Sequence, residues 1–145
     1  MNRIVIATDG SPDAVQAVRE GVELAQEVGA CVTFVSVRTT PLAVWGAPVY
    51  QAQLENTTHT ARDAVHEAVL IAEDAEIDAD YEILDGPAAD AILDVAESHD
   101  ADLIVVGSRG RGAVKGALFG SVSKALVSHA HRPVLVVKEK EPVAA

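Results

Sequence analysis

Leu103-Ile104-Val105-Val106, followed at once by Gly107-Ser108-Arg109-Gly110, is the stretch that decides the fold. Four apolar residues with no polar interruption predict a strand covered on both faces, as in a parallel sheet. Upstream, Ala88, Ala91, Ile92, Val95 and Ala96 recur at helical spacing. Downstream, Val122, Ala125, Leu126 and His129 do the same, ahead of the apolar run Pro133-Val134-Leu135-Val136-Val137. The centre of this half is therefore helix, strand, glycine-rich loop, helix, strand.

The same alternation extends to the other end. Arg3-Ile4-Val5-Ile6-Ala7-Thr8 predicts a first strand, ended by Asp9-Gly10-Ser11-Pro12. Ser11 is suited to cap a helix whose first turn holds Pro12, where no backbone N–H is needed. Ala14, Val18, Gly21, Val22, Ala25 and Val28 form its stripe, and Gly29 predicts a left-handed cap. Cys31-Val32-Thr33-Phe34-Val35-Ser36-Val37 predicts the second strand, with Cys31 read as a core residue. Residues 39–53, which include Pro41, Trp45, Gly46, Pro48 and Tyr50, read as a long connection, and long connections tend to be functional or mobile. Trp45 and Tyr50 are expected to pack on a neighbouring loop or subunit. Ala61, Val65, Ala68, Val69, Ala72 and Ala75 then mark a helix, and Asp80-Tyr81-Glu82-Ile83-Leu84 a third strand before the Asp85-Gly86-Pro87 turn. Residues 139–145 read as a loose tail.

Strands alternating with helices imply a parallel sheet with right-handed crossovers and helices on both faces. The expected fold is α/β: a Rossmann-like, doubly wound, five-stranded parallel sheet of order 3-2-1-4-5. Ligands of such sheets bind beyond the strands' carboxyl ends, where the winding reverses. In this order the reversal falls between the first and fourth strands, so Asp9 and the glycine-rich loop share one sheet edge.

The 145 residues fit one domain, residues 1–145, and the 49% of hydrophobic residues suffices for its core. Aromatics are only 3%, so that core is built from Val, Ile, Leu and Ala. No apolar run approaches the roughly 20 residues of a membrane helix, and the N-terminus carries no signal-peptide pattern. One cysteine excludes an internal disulfide and a cysteine-cluster metal site. The expected location is cytoplasmic. A net charge of −11 argues against nucleic-acid and anionic-membrane partners, since both need a positive surface. The acidic, lysine-poor surface would also suit a high-salt cytoplasm.

Charge is distributed unevenly. Leu103 to Lys138 holds no Asp or Glu, but six of the eleven cations: Arg109, Arg111, Lys115, Lys124, Arg132 and Lys138. Such a segment is fitted to hold an anion; chance clustering plus a basic helix end is the plainer alternative. Within it, Gly107 and Gly110 are followed, nine residues on, by Gly120-Ser121-Val122-Ser123. Phosphate binding needs free backbone N–H groups at close approach and a positive helix end, which glycines and a helix start supply. Ser121 and Ser123 add hydroxyls, and Arg109, Arg111 or Lys115 could balance phosphate charge. On spacing alone, the same glycines serve equally as a turn and helix start. The dinucleotide fingerprint belongs after a first strand, and the Walker A pattern needs Gly-Lys followed by Ser or Thr; neither fits. The five histidines, among them His59, His66, His129 and His131, make no metal-ligand pattern.

With these motifs the chain resembles the universal stress proteins, whose ATP-binding branch carries G-x2-G-x9-G-(S/T) after the fourth strand. Gly107, Gly110, Gly120 and Ser121 reproduce that motif, behind Asp102-Leu103-Ile104-Val105-Val106. Asp9-Gly10-Ser11, Gly86-Pro87 and the closing Arg132-Pro133-Val134-Leu135-Val136-Val137 also match, so that the resemblance covers residues 3–138. It implies that Asp9 meets the adenosine end and Val37 the adenine. Gly107 and Gly110 would shape the loop around ribose and phosphates, with Arg109 between them. Gly120, Ser121, Val122 and Ser123 would take the phosphates. The implied ligand is ATP, or AMP or ADP, with Mg²⁺ accompanying a triphosphate. The chain departs from the family within residues 39–53, which leaves the cover of the site open.

The reading that follows is a regulatory, stress-response nucleotide-binding protein. No general base or carboxylate cluster accompanies the loop, so hydrolysis would be slow or absent. Two alternatives stand beside it: a nucleotide-free dimeric adaptor, and an ATP-dependent substrate-activating enzyme. The intact glycine motif speaks against the first. Against the second, Asp9-Gly10-Ser11-Pro12-Asp13 lacks the paired glycines of the loop such enzymes carry. The fifth strand, Val134 to Val137, is expected at a sheet edge with apolar residues on both faces, which invites pairing with a second copy. A homodimer through that strand is expected, as the resemblance also implies.

Overall fold

The computed structural model describes residues 1–38, 46–110 and 119–139. Its elements follow the order β1 (Arg3–Ala7), α1 (Pro12–Val28), β2 (Cys31–Arg38), α2 (Ala47–Asp74), β3 (Ala79–Asp85), α3 (Ala88–Ser98), β4 (Leu103–Gly107), α4 (Ser121–His129) and β5 (Val134–Val137). The five strands form one parallel sheet of order β3-β2-β1-β4-β5, as the sequence predicts.

Alternation along the strands builds two apolar layers. Ile4 and Ile6 of β1, Val32 and Phe34 of β2, and Leu103 and Val105 of β4 face α1 and α2. Val5 and Ala7, Val35, and Ile104 and Val106 face the other way, toward Ile92, Val95 and Ala96 of α3 and Leu126 of α4. Because both faces are covered, the central strands carry no polar alternation. Among the described residues Phe34 is the largest fully buried side chain, in keeping with a core of aliphatic residues. Helix α1 approaches β1 so closely that a Cβ on Gly21 would lie 2.5 Å from Ile6 Cδ1. It starts and stops as expected, with Ser11 as N-cap accepting from the Ala14 N–H, and Gly29 at φ 71° closing it.

Two expectations need correction. Residues 39–53 are not one long connection: α2 begins at Ala47, with Pro48 in its first turn. At 1.5 Å per residue its 28 residues far exceed the strands in length, so the first half projects past the sheet and is largely exposed. Apolar periodicity shows only where a helix meets a core, and the buried positions of α2 start at Ala61. The projecting half is anchored by Arg38, whose guanidinium donates to Thr58 Oγ1 at 2.9 Å and forks onto the Asp85 carboxylate at 2.6 and 2.9 Å. Residues 39–45, with Trp45, lie outside the described residues; Tyr50 is half-buried in α2. Cys31 is not a core residue: it is half-buried at the start of β2, where its Sγ donates to the Asn2 carbonyl at 3.2 Å. β5 is apolar on both faces: Val134 and Val136 pack on one layer, and Val137 is buried in the other on the face that Leu135, 39% exposed, shares. Of the proposed tail, only Glu139 is described. No helix among the described residues is long and apolar enough to cross a membrane.

Candidate functional site

The carboxyl ends of β1 and β4 diverge to α1 and α4, which lie on opposite faces of the sheet, and a cleft of about 440 Å³ opens between them. All nine residues singled out from the sequence line it: Asp9, Val37, Gly107, Arg109, Gly110, Gly120, Ser121, Val122 and Ser123. Arg111 and Lys115 lie outside the described residues. One part of the wall is apolar, formed by Ala7, Val35, Val37, Ile92 and Val106; the other carries the glycines, Thr8, Asp9, Arg109, Ser121 and Lys124. An amphipathic ligand with a flat apolar part and an anionic part matches that division.

The two helix starts facing this edge differ. At α1 Ser11 caps the helix, accepting from the Ala14 N–H, and Asp13 places a negative charge in the first turn. At α4 the N-cap is Gly120, with φ −82° and ψ 172°, and no side chain caps the helix. The first-turn N–H groups of a helix have no intrahelical partner, and the helix dipole adds positive potential there. The α4 start therefore presents donors to the cleft, with Arg109 and Lys124 lining the same cavity. Backbone donors in that setting are suited to phosphate oxygens.

The three glycines do different work. A Cβ on Gly107 would lie 2.8 Å from both Ala14 N and Asp13 C, so the end of β4 touches the α1 backbone. On Gly110 it would lie 2.5 Å from Asp9 Oδ2, which packs the Asp9 carboxylate against the loop; Asp9 Oδ1 meanwhile accepts from the Ser11 N–H at 2.9 Å. On Gly120 the nearest atom among the described residues would be Arg109 Cα at 3.5 Å, an ordinary contact. Close packing explains Gly107, whereas Gly120 lines the cleft without such a contact among the described residues.

Sequence reasoning missed Asp13. It is 5% exposed, and its Oδ2 accepts from Ser108 Oγ at 2.6 Å and from the Arg109 N–H at 3.2 Å. Oδ1 accepts from the Glu139 N–H at 2.8 Å, and Arg109 Nε stands 3.7 Å from Oδ2. Burial pushes the Asp13 carboxyl up. The Ser108 hydroxyl, the Glu139 and Arg109 N–H groups and the Arg109 charge outweigh it, and the net shift is downward. In the sequence, an acid in a helix's first turn signals only a favourable dipole contact; nothing local reveals partners 95 and 126 residues away. Ser108 likewise has no local signal for its role: its carbonyl accepts from the Gly120 N–H at 2.7 Å and from Ser123 Oγ at 2.8 Å. The Ser123 hydroxyl, which also reaches the Gly120 carbonyl at 3.0 Å, thus directs its proton into the loop's own framework.

Residues 1–138 match the family model of the universal stress protein family. The chain belongs to that family. It is 33% identical over 140 residues to the universal stress protein MJ0531 of Methanocaldococcus jannaschii, covering 94% of this chain and 82% of that one. Among solved structures it is similar to the universal stress protein UspA from Lactobacillus plantarum, with a TM-score of 0.83, 28% identity and coverage of 94% and 97% of the two chains. A universal stress protein in complex with cAMP superposes at TM-score 0.74 and 25% identity, over 96% and 98%. The universal stress protein from Archaeoglobus fulgidus in complex with dAMP gives TM-score 0.66 and 26% identity, over 95% and 98%.

Proposed function

We propose that this universal stress protein binds an adenine nucleotide, ATP with its Mg²⁺ in the first place, in the cleft between β1 and β4, and works as a regulatory stress-response protein. The observation that carries this is the α4 start: a helix capped only by Gly120, opening into a cleft shared with Arg109 and Lys124. The family members solved with cAMP and with dAMP support a nucleotide of this class. A volume of about 440 Å³ also lies within the ordinary range for such ligands, roughly 300–1,000 Å³. The phosphates would meet the first turn of α4 and the Ser121 hydroxyl, and the base would lie against Val37 and the apolar wall, with Asp9 at the adenosine end. Among the described residues no three His, Cys, Asp or Glu side chains are grouped to hold a metal. Mg²⁺ would accordingly arrive on the phosphates, as it commonly does in nucleotide sites.

The same reading takes the protein as a cytoplasmic homodimer joined through β5. Support comes from the outer edge of β5, where Leu135 is exposed, and from the exposed Val127 and Phe119. An unpaired apolar edge strand is a template for a second copy. Calorimetric titration of ATP with Mg²⁺ into nucleotide-free protein, beside a Gly120→Asp variant, tests the site. Binding by the wild type alone supports it; binding by neither, at low and at high salt, overturns it.

A further inference from the structure

The Asp13 carboxylate lies behind the cleft rather than in its lining, yet both described ends of the glycine-rich loop lead to it. One oxygen holds the Ser108 hydroxyl and the Arg109 N–H; the other holds the Glu139 N–H just past β5. Ser108, 1% exposed, passes the constraint on, because its carbonyl binds the Gly120 N–H and the Ser123 hydroxyl at the start of α4. Gly107 brings the β4 end against the Asp13 backbone itself. A continuous set of hydrogen bonds therefore runs from the end of β5, through Asp13 and Ser108, to the first turn of α4. Resting on the nucleotide reading above, we infer that Asp13 is the positioning residue of the phosphate loop and ties that loop to the end of β5.

The chemistry makes the inference sharp. Three donors converge on two carboxylate oxygens, and a carboxylate only accepts. Asparagine supplies one accepting oxygen and one NH2 group. Whichever way it is turned, the NH2 meets either the Glu139 N–H or the Arg109 N–H head-on, and a part-buried donor loses its partner. The sign of the effect on binding is diagnostic. If Asp13 were merely a negative charge near the phosphates, removing it would tighten the binding of a phosphate-bearing ligand. If it positions the loop, removing it weakens that binding.

The experiment uses the full chain as wild type, Asp13→Asn and Ser108→Ala, with two readouts. Amide hydrogen exchange without nucleotide reads positioning directly. Asp13→Asn should speed exchange at Arg109, Gly120 and Glu139 while the β1 and β2 amides keep their protection; unchanged exchange at those three amides overturns the inference. Calorimetry with ATP and with adenosine reads the consequence. Asp13→Asn should bind ATP about tenfold more weakly, with adenosine changed much less, and Ser108→Ala should shift in the same direction by a smaller factor. Equal losses for ATP and adenosine, or tighter ATP binding, would overturn it. A wild type that binds neither ligand removes the nucleotide reading alone, and hydrogen exchange then decides the role of Asp13. Should Asp13→Asn not fold, Ser108→Ala carries both readouts.

Discussion

Replacing Gly107 by alanine should lower stability, whereas the same change at Gly120 should spare stability and damage binding. A Cβ on Gly107 would sit 2.8 Å from Ala14 N and Asp13 C and 3.0 Å from Asp13 O. All three are backbone atoms of α1, so relief requires the helix to shift off the sheet rather than a side chain to swing aside. Overpacking of this kind costs about 1–3 kcal/mol. Against it stands a gain of about 0.4–1 kcal/mol from the lower entropy of the unfolded chain. With three backbone atoms at 3.0 Å or less, the upper part of the overpacking range applies, about 2–3 kcal/mol. The net loss is then about 1–2.6 kcal/mol, and at about 3–4 °C per kcal/mol for this chain length, Tm should fall by about 3–10 °C. At Gly120 the nearest atom among the described residues would be 3.5 Å away and the backbone is extended, so an alanine meets no clash with them. Alanine is a poorer N-cap than glycine, but the unfolded-state gain opposes that, and stability should stay within about 1 kcal/mol of wild type. Nucleotide-free samples would be compared by thermal and urea denaturation followed by circular dichroism, with ATP binding measured alongside. A Gly107→Ala protein melting within a degree of wild type, or a Gly120→Ala protein melting lower than Gly107→Ala, would refute the assignment of packing to one glycine and ligand approach to the other.

Acid should remove the stabilisation that Asp13 provides. Its carboxyl is held below the ordinary value in the folded protein, so the contribution is complete above the unfolded-state value of about 3.9 and is lost as pH falls through the folded one. The stability difference between wild type and Asp13→Asn should therefore narrow below about pH 4 in denaturation series; a difference independent of pH would contradict this. Truncating Phe34, wholly buried between β2 and the α1–α2 layer, to alanine should cost about 3–5 kcal/mol by urea denaturation. A loss below 1 kcal/mol would mean that the layer repacks. Leu135→Lys, on the exposed side of β5, should leave the fold intact and convert the proposed dimer to monomer in sedimentation experiments. A dimer that survives the change places the interface elsewhere.

Much of this architecture is local and was therefore legible. β-branched runs such as Ile4-Val5-Ile6 and Leu103-Ile104-Val105-Val106 became strands at the expected places, and Ser11, Pro12 and Gly29 bound α1 as their backbone preferences require. The alternation of these pieces left few sheet orders open, and the observed one places Asp9 beside Gly110. Helix α2 shows the limit: Ala47 to Thr60 carry no core-facing stripe because they meet no core, and apolar spacing is the signal on which such a reading depends.

The sequence by itself determined the class of fold and the two turns that meet at the sheet edge, both from preferences that act over a few residues. The roles of Asp9, Val37 and the glycines at the cleft came only with the family resemblance. The tertiary structure alone decided what those residues do to one another. It made Gly107 a contact with the α1 backbone, left α4 uncapped where α1 is capped, and joined Asp13 to Ser108 and Glu139 across 95 and 126 positions. Such contacts have no local signature: a buried carboxylate and a solvated one are the same letter, and only the packed chain shows which N–H groups it must accept from.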